Sequence, residues 1–177
     1  MDLLLQHKHC ADDILNLVAA TDSLKARENA RYKRAYDGAM SKFQALSNAV
    51  HRSTRHADIV DEEVGLTFVN PTCTRRCSSY TAVQRVVNVG IEKVQTCQVR
   101  MRQHPLTEDD MKFLDSCVKV MKPVTAAVDL LQGEGDCYIG HVIPTIKGIQ
   151  HKLQLLNDKS MTPLINAINN GLCEQFN

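Results

Sequence analysis

Eight basic residues lie between positions 25 and 55, and only two acidic residues, Glu28 and Asp37, accompany them. Clustered Lys and Arg side chains attract nucleic-acid phosphates without reading sequence, so this segment is a candidate for non-specific DNA binding. The alternative is that these side chains only solvate the outer face of a helix. The candidate residues are Lys25, Arg27, Arg31, Lys33, Arg34, Lys42, Arg52 and Arg55, together with Arg75 and Arg76 further along the chain.

The spacing of the first arginines suggests a shared surface. Arg27, Arg31 and Arg34 are separated by four and three residues, which predicts that they lie on one face of a helix. The sign of the charge then reverses, because four acidic residues follow between positions 58 and 63. The net charge of +1 therefore conceals an uneven distribution.

Cysteine and histidine side chains raise the possibility of a zinc site. His7, His9 and Cys10 are close in sequence, and Cys73 and Cys77 are separated by three residues. Structural zinc sites usually combine closer cysteine pairs with spaced histidines, so these residues are a poor match. We therefore predict no bound metal and no cofactor. The N-terminus has no signal-peptide pattern, and no stretch is apolar enough for a membrane span, so the seven cysteines are expected to be free thiols in a reducing compartment.

Enzyme chemistry finds little support. A nucleophile such as Cys77 would need His51 or His56 beside it as a base, and nothing in the sequence brings them together. Neither a Gly-x-Ser-x-Gly elbow nor a phosphate-binding glycine loop is present. The prediction is that the chain is not an enzyme.

Apolar spacing predicts a mainly α fold of about six helices with at most one short strand. Thr107 is the expected cap of the fourth helix, Pro123 is expected to kink or interrupt it, and Pro144 lies inside the fifth. The predicted helices cover residues 10–22, 27–51, 79–101, 107–132, 138–156 and 162–176.

The predicted strand is Leu66-Thr67-Phe68-Val69, which is β-branched and aromatic and is ended by Asn70-Pro71. A single strand leaves its backbone groups without partners. It therefore pairs with a strand outside this chain, or it packs as irregular extended backbone.

Two segments of the sequence form motifs: Cys10-Ala11-Asp12-Asp13-Ile14-Leu15-Asn16-Leu17 and Thr74-Arg75-Arg76-Cys77-Ser78. They resemble the hAT family of DNA transposases, in which a Cys-x-x-His-x-Leu-Asn-Leu helix is followed by a Thr-Arg-Trp-x-Ser segment. Further similarities follow in the family's order: Met121-Lys122-Pro123 and then Val142-Ile143-Pro144. The resemblance covers roughly residues 10 to 156.

This resemblance implies a partial RNase H-like region at 1–78 and a helical insertion at 79–177. In the family, two early aspartates and a late glutamate hold the metal ions; this chain resembles the part that follows the second aspartate. Two positions depart from the family. Asp13 replaces the histidine, and Arg76 replaces a tryptophan implicated in handling DNA ends. No BED finger is present.

The function predicted from these features is that of a catalytically inactive, transposase-derived helical protein that binds a protein partner or itself in the nucleus, or otherwise in the cytoplasm. One alternative is a residual non-specific DNA-binding module that uses the basic helix face. Another is a translated transposon remnant without function. No membrane association is expected.

Overall fold

The computed structural model of the chain describes residues 11–68, 78–132 and 141–176, and these form a mainly helical structure. This confirms the mainly α part of the prediction. The described residues contain no strand, so they do not fit the partial RNase H-like core predicted at 1–78. The described residues form eight α-helices and one 3-10 helix, which runs from Asp22 to Glu28. The α-helices are α1 (Ala11–Ala20), α2 (Ala30–Arg52), α3 (Thr54–Val64), α4 (Ser78–Val89), α5 (Ile91–Arg100), α6 (Glu108–Gln132), α7 (Val142–Gln154) and α8 (Thr162–Phe176).

The buried side chains form two core clusters. The first core cluster lies among α1, the 3-10 helix, the start of α2, the second half of α6, α7 and α8, and includes Leu15, Val124 and Ile168. The second core cluster lies among α2, α3, α4, α5 and the first half of α6, and includes Phe43 and Leu114. Helices α2 and α6 contribute buried residues to both clusters. Each cluster therefore contains residues from both of the regions predicted from the sequence, 1–78 and 79–177.

Helix α2 has a defined start and one buried face. The side-chain oxygen of Asn29 accepts hydrogen bonds from the backbone N–H groups of Arg31 and Tyr32, at 3.1 and 3.0 Å, which caps the helix. Much of the predicted apolar stripe is buried, including Tyr32, Phe43 and Val50. The predicted helix is therefore confirmed from residue 30 onward, whereas residues 27 and 28 belong to the preceding 3-10 helix.

The predicted count of about six helices is wrong for two reasons. The long helix expected at 79–101 is divided at Gly90, whose φ of +89° is a conformation that glycine adopts readily. Helix α3 was also not predicted, because it is short and buries few residues, Ile59 and Val60 among them. Ser53 caps its start, and Gly65 ends it with a φ of +70°.

Of the two predicted effects of Pro123, interruption of α6 does not occur, because the helix continues to Gln132. A proline inside a helix costs roughly 3 kcal/mol, because one backbone hydrogen bond is lost and the ring crowds the preceding turn. Here the neighbouring Val120 and Val124 are almost completely buried. Burial on both sides of the proline offsets this local cost. Pro144 lies in the first turn of α7, where the missing N–H has no helical partner.

The predicted strand is not found at its described residues, Leu66, Thr67 and Phe68, and no strand occurs in the parts of the chain that the structure describes. Leu66 lies in a bend, and Thr67 and Phe68 have no regular secondary structure. The Thr67 carbonyl oxygen accepts a hydrogen bond of 2.8 Å from Arg85, and Phe68 is buried in the second core cluster. The Arg85 side chain therefore satisfies one backbone acceptor of this segment. Val69 lies outside the described residues.

The start of α6 confirms the predicted cap. The Thr107 hydroxyl oxygen accepts from the Asp110 backbone N–H at 3.2 Å, and an Asp110 carboxylate oxygen accepts from the Thr107 backbone N–H at 2.9 Å. The same carboxylate receives a hydrogen bond from Lys42 of α2. Burial raises the pKa of Asp110, but the bonds from Lys42 and Thr107 outweigh this and hold the pKa below its ordinary value.

We predict that Asp110→Asn lowers the free energy of unfolding by about 1 kcal/mol at pH 7. Because the folded pKa is depressed, this stabilisation is present above the ordinary value of about 3.9 and is lost as the pH falls through the folded pKa. Urea unfolding from pH 7 to pH 2.5 measures the difference between the two proteins, which should shrink at the acid end. The matched control is Asp109→Asn, an exposed position, which should show a smaller effect. Equal effects at both positions would contradict the account.

The 3-10 helix packs against α8 through a buried carboxylate. Asp22 is only 4% exposed, and Lys25 lies 3.0 Å from it. A Cβ atom at Gly171 of α8 would lie 2.7 Å from Oδ2 of Asp22. Glycine at position 171 is therefore required by the close approach of these two helices.

Gly171→Ala should destabilise the protein by about 1–3 kcal/mol, because the added methyl group overpacks this contact. Gly38→Ala is the matched control, since nothing lies within 4 Å of a Cβ there. That change should stabilise α2 by about 0.5–1 kcal/mol through helix propensity. Thermal unfolding of the two variants measures both effects. A stabilised Gly171→Ala would show that the two helices are not in close contact.

Candidate nucleic-acid interface

The eight basic residues between positions 25 and 55 separate into two groups. Three of them make ion pairs that hold helices together. Lys25 lies 3.1 Å from Glu174 of α8 in addition to its contact with Asp22, and Lys42 is paired with Asp110 of α6. These side chains serve the fold, so they are poor candidates for binding phosphate.

Arg27 is the third of these residues. Its guanidinium lies 2.8 Å from the Asp37 carboxylate and 5.4 Å from the centre of the Tyr36 ring. It belongs to the 3-10 helix and is separated from α2 by the capping residue Asn29. The prediction that Arg27 shares one helical face with Arg31 and Arg34 is therefore wrong, because the helix begins only at Ala30.

The other five residues have exposed side chains, and these make no ion pair or side-chain hydrogen bond with any residue that the structure describes. They lie towards the two ends of α2. We call these five residues, as a set, the basic face of α2: Arg31, Lys33 and Arg34 at its N-terminal end, and Arg52 and Arg55 at its C-terminal end and the start of α3. At about 100° per residue, Arg31, Arg34 and Arg52 project from the same side of α2, whereas Lys33 projects from another side.

Helix geometry aligns two members of the basic face. Arg34 and Arg52 are separated by 18 residues. In an α-helix, 18 residues make about five turns and span about 27 Å, so both residues project from the same side. Three uncharged residues on that side between them, Ser41, Ala45 and Asn48, are exposed. These side chains are short. The nearest acidic side chain along α2 is Asp37, three residues after Arg34, and it is paired with Arg27.

The acidic residues that reverse the charge lie on α3. Glu62 and Glu63 are held by Arg100 of α5, at 2.8 and 2.7 Å, whereas Asp58 and Asp61 are exposed. Part of the acidic segment is thus neutralised by an ion pair between helices. The basic face keeps its charge.

The cysteines in the described residues show no metal-binding arrangement. Burial raises the pKa of the Cys97 thiol, and burial raises that of Cys117 to about 12. The Cys117 sulfur lies 3.9 Å from the Tyr32 hydroxyl and 3.9 Å from the Met161 sulfur, inside the first core cluster. Such thiols remain protonated at neutral pH and act as packing groups.

Within residues 11–68, 78–132 and 141–176, no group of three or more His, Cys, Asp or Glu side chains is placed to hold a metal ion. The zinc candidates His7, His9, Cys10, Cys73 and Cys77 lie outside the described residues, as do the predicted DNA-binding residues Arg75 and Arg76. His51 is exposed, and the His56 ring nitrogen lies 3.3 Å from the Ala49 carbonyl oxygen.

Comparison of the chain with profiles of known protein families, with curated protein sequences and with solved structures finds no match. Among the described helices, none combines the length and the apolar character that crossing a bilayer requires.

The division of the basic residues into two groups predicts different effects on stability. Arg27→Gln removes an ion pair and a cation–π contact, each partly exposed, so the free energy of unfolding should fall by about 1 kcal/mol. Arg34→Gln makes the same change at an exposed position and should alter stability by less than about 0.5 kcal/mol. Urea unfolding measures both. If Arg34→Gln destabilises the protein as much as Arg27→Gln does, the separation of the basic residues into ion-paired and unpaired groups is wrong.

Proposed function

We propose that this chain is a non-catalytic helical protein that binds the phosphate backbone of double-stranded DNA through the basic face of α2. The observation that carries the proposal is the exposure of Arg31, Lys33, Arg34, Arg52 and Arg55 without ion-pair partners among the described residues. A cation that already has a carboxylate partner gains little from a phosphate. A free cation releases counterions from DNA when it binds.

The arrangement of the basic face also favours a long, rod-like ligand. Arg34 and Arg52 lie about 27 Å apart on one side of a single helix, and the exposed residues between them on that side are short and uncharged. The two strands of a duplex together present one phosphate per roughly 1.7 Å of its axis, so a duplex lying along α2 offers phosphates near both ends of the helix. Contacts of this kind position a protein on DNA without reading its sequence.

Binding to a protein partner is the other function that the sequence predicts. Exposed large apolar side chains are the feature that would support it, and examples are Val99, Ile143 and Leu155, with exposures of 64%, 64% and 69%. Val99 lies on α5, whereas Ile143 and Leu155 lie at opposite ends of α7. Single exposed apolar residues are common on protein surfaces. The basic face is therefore the better-supported binding surface.

We further propose that the chain derives from a hAT transposase, which it resembles in sequence. In this view, the helices from α4 onward correspond to the family's helical insertion. Two-metal chemistry needs clustered carboxylates, and the region that this chain resembles follows the second of the family's aspartates. The proposed role is therefore one without catalysis, and the nucleus is the corresponding location.

A triple variant tests the proposal. Replacing Arg31, Arg34 and Arg52 with Gln should weaken binding to a duplex of about 20 base pairs at least tenfold at low salt. The slope of log K against log salt concentration should become shallower by about 2 to 3, since each lost phosphate contact contributes about 0.9. Fluorescence anisotropy across a salt series measures both quantities. Unrelated duplex sequences should give similar results.

The matched control replaces three exposed lysines elsewhere, Lys112, Lys122 and Lys152, with Gln. This variant has the same change in net charge as the first. It should retain most of the affinity and the salt slope of the parent. If the two triple variants bind equally, or if the parent does not bind duplex DNA at low salt, the basic face is only a solvated surface.

A further inference from the structure

A groove separate from the basic face lies where the end of α3 meets α4 and α5. Its volume is about 470 Å³, which is within the range of small-molecule sites. Residues of one face of α4 form its longest wall, because positions 81, 84, 85 and 88 follow helical spacing. Nothing in the proposed DNA contact uses this groove.

The charged residues that line the groove are all basic. Arg85 and Lys93 both line it, and none of its lining residues is acidic. Arg85 is held in place because its Nη1 donates a hydrogen bond of 2.8 Å to the Thr67 carbonyl oxygen. A guanidinium has five N–H donors, so this bond leaves others for a ligand. Lys93 is exposed and forms no ion pair with a residue in the described part of the chain.

The uncharged part of the lining adds two further properties. Gln84 and Asn88 are four residues apart on α4 and supply amide groups that both donate and accept hydrogen bonds. Val64, Leu66 and Val89 supply an apolar wall, and Leu66 is 54% exposed. A ligand that contacts the basic, the amide and the apolar lining residues has an anionic group, hydrogen-bonding groups and an apolar or planar surface.

The geometry points to a binding site in this groove for a small organic phosphate of the mononucleotide class. Its phosphate lies against Arg85 and Lys93, and its sugar and base lie against the amides and the apolar wall. Two cations without an acidic neighbour in the groove favour an anion, since bonds between charged partners are about twice as strong as neutral ones. The amides and the apolar wall favour a nucleotide over free phosphate.

The test is isothermal titration of the full chain with AMP, with adenosine and with inorganic phosphate. AMP should bind saturably, and more tightly than either of the other two. Lys93→Gln should weaken AMP binding about tenfold, and Lys93→Arg should restore most of the affinity. Lys93 makes no ion pair within the described part of the chain, so these variants should keep the structure. The matched control is Lys122→Gln, at an exposed lysine of α6, which should bind AMP like the parent.

Several results would overturn this site. They are an absence of saturable AMP binding up to millimolar concentrations, adenosine binding as tightly as AMP, or equal losses in Lys93→Gln and Lys122→Gln. The triple variant at Arg31, Arg34 and Arg52 should bind AMP normally. The groove and the basic face can therefore fail independently of each other.

Discussion

Helix α2 buries Tyr32 in the first core cluster and Phe43, Leu46 and Val50 in the second, so one element joins the two halves of the described structure. This requirement fixes which side of the helix meets solvent. Since one face must be apolar along most of the helix, the charged residues collect on the remaining arc. The position of the basic face is thus a consequence of core packing.

Ion pairs between helices determine which basic side chains remain free to bind phosphate. Lys42 is held by Asp110 and Arg27 by Asp37, and these pairs link α2 to α6 and to the 3-10 helix. Exposed pairs contribute little to stability, but a partner at hydrogen-bonding distance still competes with an incoming phosphate. Net charge along the sequence therefore overstates the charge that the surface offers. The residues left without a described partner are concentrated towards the ends of α2.

Local signals in the sequence predicted part of this arrangement. The apolar spacing identified α2, and the Thr107 cap identified the start of α6, because both depend on residues within one or two turns. The caps of α3, Ser53 and Gly65, were also readable, but they frame a mostly polar segment with little apolar periodicity. The pairing of Lys42 with Asp110 joins residues 68 positions apart, and no local pattern encodes it. The groove beside α4 likewise arises only when three helices meet.

The central claim is that the exposed arginines of α2 contact DNA and that Arg27 does not. Two-dimensional NMR of the arginine Nε–H groups, recorded while duplex DNA is added at low salt, observes these side chains individually. The account predicts large shifts for Arg31, Arg34 and Arg52 and an unchanged signal for Arg27, whose guanidinium stays on Asp37 and Tyr36. Shifts of equal size at Arg27, or binding that leaves Arg34 and Arg52 unchanged, would contradict it.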